Sequence, residues 1–115
     1  MAIDKNKVKE LKKLAKRGDV KAMVELAETY DSFSSKYLKW TMKAATLGDY
    51  GAQDSMAIYY KFKASLPNQT RAQCIANLQN AKRWFRKMIE NPETPRGDKA
   101  RINKEVKEIE ELLDL

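Results

Sequence analysis

Gly18-Asp19-Val20-Lys21-Ala22-Met23-Val24-Glu25-Leu26-Ala27-Glu28-Thr29-Tyr30 returns thirty residues later as Gly48-Asp49-Tyr50-Gly51-Ala52-Gln53-Asp54-Ser55-Met56-Ala57-Ile58-Tyr59-Tyr60. Gly, Asp, two Ala and the closing Tyr recur in register. Self-similarity at this spacing marks one supersecondary unit used more than once. Each copy has the same local logic. The Gly fits the left-handed position that ends a helix. The Asp caps the next one, and the apolar residues follow at three-four spacing.

Working outward, Asp4 caps a first helix through about Arg17, with Val8, Leu11, Leu14 and Ala15 as its apolar stripe and Lys over the rest. The second helix runs from Asp19 to about Tyr30. Asp31–Ser35 is a short turn, and a third helix spans about Lys36–Leu47. The fourth starts at Asp49 and carries Met56, Ala57, Tyr59, Tyr60 and Phe62. Leu66–Thr70 breaks the pattern, and a fifth helix covers about Arg71–Glu90. Asn91–Gly97 reads as a loop. Asp98 is the expected cap of a last helix whose stripe is Ile102, Val106, Ile109 and Leu113. No stretch alternates with period two for long enough to form a strand. The expected fold is all-α, with about six helices stacked as antiparallel hairpins in one domain over 1–115.

Composition bounds the class. At 43% hydrophobic residues the chain can bury a core, and no apolar run is long enough to span a bilayer. Met1-Ala2-Ile3-Asp4-Lys5 lacks the apolar segment of a signal peptide. The single Cys74 has no partner for an internal disulfide and reads as a small buried apolar residue. These features lead to a cytoplasmic expectation. With no His at all, the commonest general base and the Ser-His and Cys-His nucleophile pairs are missing. No Gly-rich phosphate loop occurs, and the acid pairs Glu25/Glu28 and Glu108/Glu111 sit on solvated faces. No enzyme, no cofactor and no metal site is expected. Arg96-Gly97-Asp98 spells an integrin-type tripeptide but reads better as a loop end and a cap. Asn68-Gln69-Thr70 matters as a glycosylation acceptor only after secretion.

Lys36-Tyr37-Leu38-Lys39-Trp40-Thr41-Met42-Lys43-Ala44-Ala45, followed by Leu47-Gly48-Asp49, resembles the second helix of the Sel-one-like repeat, a cousin of the tetratricopeptide repeat. Asn80-Ala81-Lys82-Arg83-Trp84-Phe85-Arg86-Lys87-Met88-Ile89 is a weaker match. The resemblance covers roughly residues 15–90 and implies a short right-handed solenoid. Its parts would be an N-terminal helix (1–18), units at 19–47 and 49–90, and a capping helix at 98–115. The family's Gly-rich turn is replaced by Asp31–Ser35, and an insert at Lys61–Asn77 is expected to lengthen both helices of the second unit. Ala22, Ala27, Ala44, Ala45, Ala52, Ala57 and Ala81 are small residues where helices approach closely. Tyr30 and Tyr60 close the first helices, and Trp40 and Trp84 are the knobs between paired helices.

The net charge is +7 and unevenly spread. Residues 55–89 hold seven basic side chains and no acid, whereas 90–115 holds eight acids against five bases. The expected role is protein–protein interaction, most concretely a dedicated one-to-one binder: an inhibitor, a toxin-immunity protein or an adaptor. Lys36, Lys39 and Lys43 on the third helix and Lys82, Arg83, Arg86 and Lys87 on the fifth would offer a basic stripe to an acidic partner. Asp54 and Ile58 are candidates on the fourth helix, where Ile58, Tyr59, Tyr60 and Phe62 exceed what one stripe requires. Those aromatics either anchor a partner or pack on the fifth and sixth helices. The alternative role is nucleic-acid binding by the same stripe, although Lys outnumbers Arg, which disfavours base reading. Self-association through the Ile102–Leu113 stripe is a third possibility. A membrane-surface role for the first helix lacks an aromatic anchor.

Overall fold

The computed structural model describes residues 4–115; the reading of the N-terminal segment rests in part on Met1–Ile3, which lie outside them. Six α-helices follow in order: α1 (Lys5–Lys16), α2 (Val20–Ala27), α3 (Ser35–Thr46), α4 (Tyr50–Ala64), α5 (Arg71–Glu90) and α6 (Arg96–Leu113). Among the described residues there is no strand. Each helix packs on the next one in the chain, and α4 against α5 is the most extensive pairing. The molecule measures 50 × 36 × 25 Å with a radius of gyration of 15.6 Å. A rounded domain of this length would have about 13 Å, so the molecule is elongated.

The two Gly-Asp junctions are built alike. Gly18 (φ +96°) and Gly48 (φ +103°) adopt the left-handed conformation. At the first, the Gly18 N–H donates to the Ala15 carbonyl at 3.0 Å and the Asp19 N–H to Leu14 at 3.1 Å. At the second, Gly48 donates to Ala45 and Asp49 to Ala44, both at 3.1 Å. This six-to-one and five-to-two pattern is a Schellman motif. The same Asp then turns its side chain forward. Asp19 Oδ1 accepts from the Ala22 N–H at 3.1 Å, and Asp49 Oδ2 from the Ala52 N–H at 2.8 Å. One residue thus closes a helix with its backbone and opens the next with its carboxylate.

Burial repeats with the sequence. Ala22/Ala52, Met23/Gln53, Leu26/Met56 and Ala27/Ala57 are buried. Val24/Asp54, Glu25/Ser55, Thr29/Tyr59 and Tyr30/Tyr60 are half-buried, and Lys21/Gly51 and Glu28/Ile58 are exposed. The correspondence extends upstream, because α1 and α3 are both 12 residues long and start thirty residues apart. Leu11/Thr41 and Ala15/Ala45 are buried alike. The register places Glu10, exposed, where α3 has Trp40, and Lys7 where α3 has Tyr37. At these two positions α1 is therefore polar where its counterpart is aromatic.

Trp40 and Trp84 are 6% and 8% exposed and belong to one continuous core with Leu26, Met56, Phe85 and Ile102. The insert lengthens both helices around it: α4 and α5 have 15 and 20 residues against 8 and 12 in α2 and α3. Thr70 and Gln73 form a reciprocal capping box at the start of α5.

Some expected boundaries shift. The second helix stops at Ala27 instead of about Tyr30, because Thr29 and Tyr30 tighten into turns, their N–H groups donating to the Leu26 and Ala27 carbonyls. The third starts at Ser35 and ends at Thr46, with Ser34 as cap. Asp98 is not a cap: α6 begins at Arg96 with Pro95 in the cap position. Pro95 stands just ahead of the helix with an extended ψ of 142° and no side-chain cap bond, which leaves Asp98 in the first turn, favourable there for its charge. Cys74 is half-buried, with Sγ 3.4 Å from the Ala64 carbonyl.

Candidate functional site

On α5, Lys82, Arg83, Arg86 and Lys87 come together with Gln79 and Glu90 around a shallow groove of about 280 Å³. Lys87 Nζ stands 5.7 Å from the centre of the Trp84 ring. Arg86 is 3.9 Å from Glu110 of α6, both half-exposed, and such a pair contributes little. The groove keeps an excess of positive charge. On α3, Lys39 and Lys43 each lie 5.2 Å from the centre of the Trp40 ring, and Lys36 lies 5.5 Å from that of Tyr30. Ammonium groups over a ring are held partly by its quadrupole and partly by water. Two lysines thus stand over Trp40 on α3 and one over Trp84 on α5, but α3 and α5 do not pack extensively on each other, since α4 lies between them in the order of packing.

The two α4 candidates separate. Ile58 is exposed. Asp54 is half-buried and faces α6, 3.8 Å from Arg101, and its Oδ1 is buried without a hydrogen-bond partner. Burial pushes the Asp54 carboxyl above its usual range; Arg101 opposes the rise, and Asp98 and Glu105 add to it. The folded chain therefore holds this proton more tightly than the unfolded chain. Stability falls as pH rises from the ordinary carboxyl value through the raised one, and the cost persists at neutral pH. Asp54→Asn is expected to be at least as stable as the parent at pH 7, with its advantage shrinking as the pH falls through the raised carboxyl value and gone below about 4, the ordinary one. Urea midpoints at both pH values check this; a clear loss at pH 7 would mean that the Arg101 pair outweighs burial. Lys61 forms a 2.6 Å ion pair with Glu105, also from α6. Glu105 and Glu110 of α6 thus neutralise part of the basic segment.

The aromatics of α4 do not all turn to the fifth and sixth helices. Phe33, in the α2–α3 turn, lies 5.3 Å from Tyr59, 5.7 Å from Phe62 and 6.0 Å from Tyr37, centre to centre, nearly parallel to Phe62 at 27°. Phe33 has φ +64°. A left-handed backbone costs a non-glycine residue about 1–2 kcal/mol. Asn68, the other non-glycine residue with positive φ among the described residues, is of a type that tolerates it; Phe33 is not. Nothing in the helical periodicity of the sequence marks Phe33. The available signal was a large aromatic in a tight turn where small residues are the norm.

A polar joint fixes these parts. Gln53 Nε2 donates to the Ala45 carbonyl at 3.1 Å, and Asn91 Nδ2 donates to the Gly48 carbonyl at 2.8 Å and to Gln53 Oε1 at 3.1 Å. The end of α3, the first turn of α4 and the α5–α6 loop meet there. In the first copy the place of Gln53 is taken by Met23.

Among the described residues no group of three or more His, Cys, Asp or Glu side chains is gathered to hold a metal ion, and no helix is long and apolar enough to cross a membrane. Compared with family models, curated proteins and solved structures, the chain finds no match.

Proposed function

We propose that this chain is a non-enzymatic protein-interaction module, a short right-handed solenoid of antiparallel hairpins of the Sel-one-like kind. It acts in the cytoplasm as a dedicated one-to-one binder: an inhibitor, an immunity protein or an adaptor. The observation that carries the reading is the thirty-residue register shared by junction geometry, side-chain caps and burial. Stacked helical units build extended surfaces suited to holding other macromolecules. The α5 groove supplies the electrostatic half of the reading, since an open cluster of Lys and Arg attracts a complementary acidic surface and speeds encounter.

Affinity capture from the native cell, followed by mass spectrometry, tests it. A single acidic protein is expected, released as salt rises from about 50 to about 500 mM, and lost when Lys82, Arg83, Arg86 and Lys87 are all replaced by Ser. Capture that ignores both salt and those substitutions would refute the electrostatic reading. Recovery of nucleic acid with steep salt dependence would favour the nucleic-acid alternative.

A further inference from the structure

We infer that the aromatic stack between the α2–α3 turn and α4 is a second contact surface, a platform for a short acidic segment of a partner protein that lays one large apolar side chain against Phe62. The inference rests on the protein-interaction reading above and adds to it a place and a ligand chemistry.

Two independent observations meet at this spot. The first is backbone strain. A glycine would occupy the Phe33 position without steric penalty, yet the chain holds a phenylalanine there at φ +64°. Strain of this kind collects where a side chain is needed for something other than folding. The second is exposed apolar surface. Phe62, Ile58 and Leu66 are 48%, 46% and 42% exposed. They stand four residues apart, so Ile58 and Phe62 share one face of α4 and Leu66 follows just past its end. Phe33 stacks on Phe62 and so widens that strip across the α2–α3 turn. Rigid aromatic side chains with one open face are the usual anchors of protein interfaces.

Charge selects the occupant. Lys63 Nζ lies 5.5 Å from the centre of the Tyr59 ring, inside the stack, and Lys36 adjoins Tyr37 in sequence and stands over Tyr30. The segment 55–89 contains no acid; the nearest one to Phe33 in sequence is the exposed Asp31. Cations at the edge of an apolar strip fit a ligand that places carboxylates beside its anchor. A second copy of the chain fits less well, because each carries a net charge of +7 and would bring like charge to like.

The test uses the whole 115-residue chain panned against a random dodecapeptide library displayed on phage. Enriched peptides are then synthesised with fluorescein and titrated by anisotropy. Peptides pairing Phe, Trp or Leu with nearby Asp or Glu are expected. Phe62→Ser should weaken them at least tenfold. Phe33→Gly should weaken them at least threefold while leaving the melting temperature unchanged or raising it. The inference is overturned if no peptide is enriched, if the enriched peptides are basic, or if Phe62→Ser changes affinity less than twofold. It is equally overturned if Phe33→Gly lowers the melting temperature, which would make Phe33 a structural residue. A dimer in sedimentation abolished by Phe62→Ser would assign the strip to self-association instead, and a single-stranded RNA dodecamer bound through Phe62 would assign it to base stacking. Replacing Lys82, Arg83, Arg86 and Lys87 by Ser is expected to spare peptide binding. Failure of the α5 groove and failure of the aromatic strip therefore give different results.

Discussion

Trp40→Ala is expected to destabilise the chain by about 3–5 kcal/mol, the range for a buried large aromatic cut back to a methyl. Trp40 belongs to the continuous core, in one cluster with Leu26, Ala44 and Ala57. The alanines of that cluster cannot collapse into the space it would leave, because they have no side-chain freedom to do so. A domain of this size has about 5–15 kcal/mol in all, and each kcal/mol moves its melting temperature by roughly 4 °C. The variant should therefore melt more than about 10 °C lower, or fail to fold. Glu10→Ala supplies the matched control: it stands at the same register position in α1, is exposed, and should cost less than about 0.5 kcal/mol. Denaturant unfolding of both variants checks the pair. Similar losses would mean that the Glu10 position of α1 is as closely packed as the Trp40 position of α3.

Asn91→Ala is expected to cost about 2–3 kcal/mol, chiefly through the buried polar groups it leaves unpaired. Removing the amide strands the Gly48 carbonyl and Gln53 Oε1 at a buried joint, and also removes the Oδ1 that accepts from the Glu93 N–H at 3.0 Å. Gln53→Met, which restores the residue of the first copy, removes one of those orphans. Combining it with Asn91→Ala should cost less than the sum of the two by about 1 kcal/mol. A thermal-melt cycle over the four proteins measures this. Strict additivity would show that Gln53 and Asn91 do not act together.

The helices were legible because their signals are local. Gly48-Asp49 announces its junction by residue type alone, since only glycine is comfortable at φ +103° and aspartate is a preferred cap. The indoles were legible for a similar reason, as large apolar residues at helical spacing must be covered. What could not be read depends on the third dimension. Asp98 looks like a cap until Pro95 is seen to start the helix three residues earlier. Asp54 looks solvent-facing by its spacing, yet α6 lies against it, and no pattern within α4 announces a helix so distant in the chain. Gln53 and Asn91 are ordinary polar residues until their 38-residue separation closes to 3.1 Å. Phe33 was hidden by its position in a turn, a setting in which sequence patterns are weakest. Of the candidate contact residues, the basic ones on α5 converge on one groove, while those on α3 form a separate group.

Cohesion passing mainly between neighbours in the chain makes this protein resemble a short row of dominoes. Interactions of small sequence separation can form early and cheaply, since little loop entropy must be surrendered first. The same layout lets an end loosen alone: α1, held chiefly by α2, can open while the α4–α5 pair stays shut. A partner that grips the middle of the row would leave that opening untouched, whereas one that spans it would quieten the whole chain.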